Sequence, residues 1–94
     1  MSRRTLHVIT YDITDDGRRT KLAKLLLDYG DRMQYSLFEA ELEPGDVETI
    51  LKRAEDLVEP TDSLRVYALC ASCCERVQTL GRRESIESDD LVVI

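Results

Sequence analysis

The fold is decided by Thr5-Leu6-His7-Val8-Ile9-Thr10-Tyr11-Asp12, by the cluster Thr14-Asp15-Asp16-Gly17 that follows it, and by residues 18–29 beyond. The first segment is β-branched, aromatic and almost continuously apolar, so it reads as a central strand. Its period of two places Leu6, Val8, Thr10 and Asp12 on one face and His7, Ile9 and Tyr11 on the other. The Thr-Asp-Asp-Gly cluster has the chemistry of a turn and helix N-cap. From 18 to 29 the apolar residues Leu22, Leu25, Leu26 and Tyr29 recur at i, i+3, i+4 and i+7, one face of a helix, and Gly30 is suited to stop it.

Downstream, residues 31–42 alternate Met33, Tyr35 and Leu37 against Gln34, Ser36, Phe38, Ala40 and Leu42. No turn signal interrupts them, so they read as one strand region. Pro44 fits the first turn of a second helix whose stripe is Val47, Ile50/Leu51, Ala54 and Leu57/Val58. Residues 63–70 alternate again as a third strand. Beyond them the chain is polar and irregular, with a short strand expected at 77–80 and an apolar end at 91–94. The resulting order, β-α-β-α-β with short connections, predicts a single α/β (α+β) domain with its helices on one face of a small sheet. An uncovered apolar sheet face and an apolar terminal segment together predict a two-fold homodimer.

Composition narrows the classes. Ninety-four residues, 43% apolar and 34% charged, suffice for one domain with a modest core and are too apolar for a disordered chain. No run reaches the length of a membrane span. Met1-Ser2-Arg3-Arg4 leads straight into the first strand, so no signal peptide and a cytoplasmic location are expected. The net charge of −6 argues against indiscriminate binding to polyanions, but it is unevenly distributed. Residues 1–38 carry seven basic and five acidic side chains, whereas residues 39–94 carry six and fourteen. Contact with phosphates, if it occurs, therefore belongs to the first 38 residues; on composition alone the simpler expectation is an ordinary solvated acidic surface.

Cys70, Cys73 and Cys74 form a Cys-x-x-Cys-Cys run. A single Cys-x-x-Cys pair with its nearest histidine, His7, 63 positions away is a weak zinc signal. A redox motif would follow a strand, as this one does. The simpler expectation is three small buried hydrophobes in a reducing compartment. Asp12 is the other conspicuous residue. A carboxylate that ends a buried strand either pairs structurally or binds a divalent cation. Asp15, Asp16, Arg18, Arg19 and Lys21 lie just beyond it, the mixture of hard oxygen ligands and cations that phosphodiester chemistry uses. One aspartate is a poor Mg²⁺ site, but two copies near a two-fold axis would supply two carboxylates.

Tyr11-Asp12-Ile13, Asp15-Asp16, Arg19 with Lys21-Leu22, and above all the block Gly30-Asp31-Arg32-Met33-Gln34-Tyr35-Ser36-Leu37-Phe38-Glu39 resemble the small CRISPR-associated Cas-two proteins. Leu64-Arg65-Val66-Tyr67 and Leu69-Cys70 with Cys73 fit the same pattern more loosely. The resemblance implies a ferredoxin-like β-α-β-β-α-β fold and a homodimer that bridges integrase (Cas-one) subunits during spacer acquisition. It further implies binding of DNA or RNA and Mg²⁺- or Mn²⁺-dependent endonuclease activity, with the metal between the protomers. The catalytic and metal-binding role then falls on Asp12, phosphate contact on Arg18, Arg19, Lys21 and Arg32, and supporting roles on Tyr11, Ser36 and Phe38. Residues 82–94 would be an extension packing on the partner protomer. The family fold needs two strands between its helices, where the residues show no turn. A toxin-like ribonuclease of the same build, or a non-catalytic scaffold, are the alternatives.

Overall fold

The computed structural model describes residues 4–80. Strand β1 (Thr5–Asp12) is followed by helix α1 (Asp16–Leu27), strands β2 (Asp31–Gln34) and β3 (Leu37–Leu42), helix α2 (Asp46–Ala54) with a short 3-10 turn at Glu55–Leu57, strand β4 (Ser63–Leu69) and a single helical turn, α3 (Ala71–Glu75). The four strands form one sheet in the order β2-β3-β1-β4, and every neighbouring pair is antiparallel. This is the ferredoxin-like β-α-β-β-α-β arrangement, closed by α3.

The two helices lie against one face of the sheet. Ile9 and Tyr11 from β1 and Phe38, Ala40 and Leu42 from β3 meet Leu22, Ala23, Leu25 and Leu26 from α1 and Ile50 and Ala54 from α2. His7 shares this buried face and is satisfied there, its Nδ1 donating to the Thr5 carbonyl at 2.7 Å. The alternation expected of β1 is therefore the one observed, with His7, Ile9 and Tyr11 inward. The helix stripe at 22, 25 and 26 also holds, although α1 spans Asp16–Leu27, starting two residues before the expected 18 and ending before Tyr29, which still packs against the core. Asp15 caps it by accepting from the Arg18 amide at 2.8 Å.

Three details differ from the sequence expectation. Residues 31–42 are two strands, joined by a tight turn at Tyr35-Ser36. Its backbone is held by β1 and by a side chain of the hairpin itself: the Tyr11 hydroxyl and an Arg32 guanidinium N–H both donate to the Tyr35 carbonyl at 2.9 Å, and the Tyr11 amide donates to Ser36 O at 3.2 Å. Next, Pro44 precedes the second helix, which starts at Asp46 after a Gly45 cap, and Leu51 lies on its exposed side. Finally, residues 77–80 form no strand. The chain turns into α3, and the Arg76 and Val77 amides bond back to Cys73 O and Cys74 O, so this backbone is satisfied locally. The extension at 82–94 and the apolar end lie outside the described residues.

No helix among the described residues is long and apolar enough to cross a membrane. The second sheet face carries Leu6, Val8, Thr10 and Asp12 from β1, beside Leu37, Glu39 and Glu41 from β3 and Arg65, Tyr67 and Leu69 from β4. Neither α1 nor α2 covers it.

Candidate functional site

Asp12 is the last residue of β1. It stands opposite Ser63 of β4, and alternation places its side chain on the uncovered sheet face. The carboxylate is exposed, and among the described residues it has no ion-pair or hydrogen-bond partner. The two carboxylates nearest in sequence are already engaged. Asp15 caps α1 and faces Arg18, and Asp16 pairs with Arg19. Among the described residues no three His, Cys, Asp or Glu side chains converge in a way that could hold a metal. Among the described residues, the end of β1 thus offers a cation one unpartnered carboxylate, that of Asp12, with no second acidic side chain converging on it.

Arg18 and Arg19 are adjacent in sequence and do different things. Arg18 turns back to clamp the loop before β4, donating to the Leu57 carbonyl at 2.9 Å and pairing closely with Asp62. Asp62 has a fully buried side chain and also accepts from the Glu59 amide at 3.0 Å and the Thr14 amide at 3.3 Å. The Arg18 hydrogen bond, then that of the Glu59 amide, holds the Asp62 carboxyl below its ordinary range, and Asp62 in turn raises the Arg18 guanidinium. This clamp ties the start of α1 to the α2–β4 connection, and it occupies the cation that was expected to meet phosphate. Asp62 was not singled out from sequence, where it lies in a Pro-Thr-Asp break with no sign of a partner 44 residues away.

Arg19 stays at the surface. Its guanidinium donates to the Ile13 carbonyl at 2.7 Å and pairs with Asp16. It shares the end of β1 with Arg32, whose guanidinium lies 5.4 Å from the Tyr35 ring centroid while bonding the Tyr35 carbonyl. Tyr11 joins the two: burial pushes its phenol up, and the positive charges of Arg32 and then Arg19 act in the opposite sense. Both guanidinium groups therefore flank one side chain at the C-terminal end of β1, one residue from Asp12. Lys21 is exposed on α1 and free to reach solvent anions.

The supporting residues separate by burial. Phe38 is fully buried, its ring 6.2 Å from that of Tyr11, and its work is core packing. Ser36 is exposed at the hairpin tip and contributes its backbone carbonyl. Tyr35, which sequence reading left aside, is 58% exposed and organises the tip through its ring and carbonyl. The cysteines depart from the expectation of buried hydrophobes: Cys70 and Cys73 are exposed, and Cys74 is half-buried.

The model of the family described as CRISPR associated protein Cas2 matches residues 5–77. The CRISPR-associated endoribonuclease Cas2 1 of Chloroflexus aurantiacus is 41% identical over 91 residues, covering 94% of this chain and 98% of its own length. Among solved structures, Streptococcus pyogenes Cas2 at pH 6.5 superposes with a TM-score of 0.70 at 34% identity, covering 81% of this chain and 99% of that one. A chain of a partial Cas6-RT-Cas1–Cas2 complex matches with a TM-score of 0.67 at 25% identity, covering 81% of this chain and 84% of that one. The split β-α-β sheet, the Tyr11-Asp12 strand end and the Arg32–Phe38 hairpin thus coincide with a family match over nearly all the described residues, and the chain belongs to the CRISPR-associated Cas2 family.

Proposed function

We propose that this chain works as a homodimeric, cytoplasmic subunit of CRISPR spacer acquisition. In this reading it binds nucleic acid, bridges Cas1 integrase subunits and carries a Mg²⁺- or Mn²⁺-dependent endonuclease activity centred on Asp12. The observation that carries the reading is the carboxylate of Asp12, without a partner among the described residues, at the end of β1 on the sheet face that α1 and α2 leave bare, one residue from Tyr11 with its neighbours Arg19 and Arg32. Two relatives support it through their names, one as an endoribonuclease and one through its complex with Cas1.

The charge distribution shapes the roles. Arg19, Arg32 and Lys21 are the cations this reading assigns to phosphate, and the planar guanidinium of an arginine fits a phosphate with two parallel hydrogen bonds. Arg18 is committed to Asp62, so it supports the site by fixing the start of α1. With a net charge of −6, the chain relies on the integrase for much of the affinity toward duplex DNA. Apolar side chains on the open face, Leu6, Val8, Leu37 and Leu69 with Tyr67, are the self-complementary surface for the second protomer.

The metal needs that second protomer. Mg²⁺ takes six oxygen ligands and is commonly held by one or two carboxylates with water completing the shell. A single Asp12 is too little for a defined site; Asp12 from two chains matches the requirement. A cation held there would neutralise charge developing on a phosphodiester. Arg19 and Arg32 would orient the phosphate, and Tyr11 would hold the hairpin that carries Arg32.

Asp12→Asn tests the reading. The variant should remain dimeric by sedimentation and should lose Mg²⁺-dependent cleavage of both RNA and DNA. Millimolar Mg²⁺ should raise the melting temperature of the wild type alone. Equal Mg²⁺ responses and equal cleavage by the two proteins would remove Asp12 from the metal and catalytic roles and leave a scaffold.

A further inference from the structure

Cys70 and Cys73 take no part in the site above, yet the fold brings them together at the surface. Their Sγ atoms lie 3.4 Å apart, within hydrogen-bond distance of each other. A disulfide bond is about 2.05 Å long, so closing the pair needs a movement of roughly 1.3 Å, within reach of small side-chain rotations. The backbone around them is pinned: Cys70 directly follows β4, its carbonyl accepts from the Cys74 amide at 3.0 Å, and the Cys73 carbonyl accepts from the Arg76 amide at 3.1 Å. The third cysteine is turned elsewhere, with its thiol 3.9 Å from the Leu69 carbonyl. Two converging thiols without a third ligand among the described residues fit a disulfide and fall short of the four ligands of a structural zinc site.

We propose that Cys70 and Cys73 are a reversible thiol–disulfide site, in which Cys70 attacks a low-molecular-weight disulfide such as oxidised glutathione and Cys73 resolves the product. The neighbours of the two sulfurs set the order of attack. The Ser72 hydroxyl, 3.3 Å from Cys70 Sγ, and the backbone amides of Cys73 and Ser72 stabilise the Cys70 thiolate, lowering its pKa to about 7. The hydrogen bond and charge of Cys70 raise that of Cys73. The Cys70 thiolate bonds to one sulfur of the small disulfide and expels the other half as a thiolate. Cys73 then gives up its proton and attacks Cys70 Sγ, expelling the second half. Two protein thiols are oxidised, one small disulfide is reduced to two thiols, and excess thiol reverses both steps. In a reducing compartment such a bond is transient and reports the redox state.

The test uses the intact protein with oxidised glutathione at pH 7, an alkylating quench, and mass spectrometry of the tryptic peptide spanning residues 66–76, which holds all three cysteines. Wild type and Cys74→Ser should lose two hydrogens from this peptide without retaining an adduct, and dithiothreitol should restore them. Cys73→Ser should stop at a glutathione adduct on Cys70. Cys70→Ser should react more slowly by roughly fivefold or more, because its remaining exposed thiol ionises less. A persistent adduct on the wild type, a bridge that includes Cys74, or equal rates for Cys70→Ser and Cys73→Ser would overturn the proposal. Unchanged far-ultraviolet circular dichroism establishes that each variant is folded.

Discussion

Asp62 shows how a single residue acquires a role that its neighbours in sequence do not announce. Its carboxylate is enclosed by Arg18 and the amides of Glu59 and Thr14, and the Arg18 hydrogen bond is the main reason its pKa is depressed. An unfolded aspartate protonates near ~3.9, and the folded one does so at lower pH. The clamp therefore contributes its full stability above about pH 4 and loses it as the pH falls through the folded value. Asp62→Asn should be less stable than wild type at pH 7, with the gap in melting temperature narrowing toward pH 3. Parallel melting curves across that range would show that the carboxylate is not held by Arg18. The adjacent Arg19 has no such enclosure: it pairs with Asp16 at the surface.

At the scale of elements, the connection from α1 into β2 depends on Gly30 for a steric reason. The sequence marks it as a helix stop, and its amide does bond back to the Leu26 carbonyl at 3.1 Å. The stronger requirement is space: a Cβ there would fall 2.3 Å from the Glu39 carbonyl and 2.6 Å from the Ala40 Cβ. Backbone atoms of β3 cannot swing aside as a long side chain would, so β2 would have to separate from β3. Gly30→Ala should cost about 2 kcal/mol or more, typical of overpacking a closed contact. Urea unfolding should show a lower midpoint with an unchanged slope. An unshifted midpoint would mean that β2 yields freely. The same element carries Arg32, so the variant should also weaken nucleic-acid binding.

Over the whole molecule, the ferredoxin-like frame gathers charge that the composition disperses. An acidic chain places the charges of Arg19 and Arg32 about Tyr11 at the end of β1 that Asp12 closes. If these cations meet phosphates, Arg19→Ala and Arg32→Ala should each weaken binding to a DNA duplex and flatten its salt dependence by roughly one counterion. Arg76→Ala, an exposed residue beyond β4, should leave the slope unchanged. Equal losses in all three would mean that binding follows net charge rather than this end of the sheet.

The sequence by itself determined the periodic parts of this protein: the two alternating faces of β1, the Leu22–Leu25–Leu26 stripe of α1, and the common face of Phe38, Ala40 and Leu42, while packing decided which strand face is buried. Hydrophobic spacing is a local property, and burial follows it wherever an element has one side to hide. Asp12 was legible for a related reason, since a carboxylate closing an apolar strand must face a rim. The turn at Tyr35-Ser36 was not legible, because a lone serine beside Tyr35 is a weak turn signal and the turn's carbonyls are held by Tyr11 and Arg32. The pairing of Arg18 with Asp62, 44 residues away, was likewise decided only by tertiary structure, whereas Asp16 with Arg19 and Cys70 with Cys73 are local pairs three residues apart. Charges and hydrogen-bonding groups choose partners by distance in space, and those distances exist only once the sheet and helices have packed.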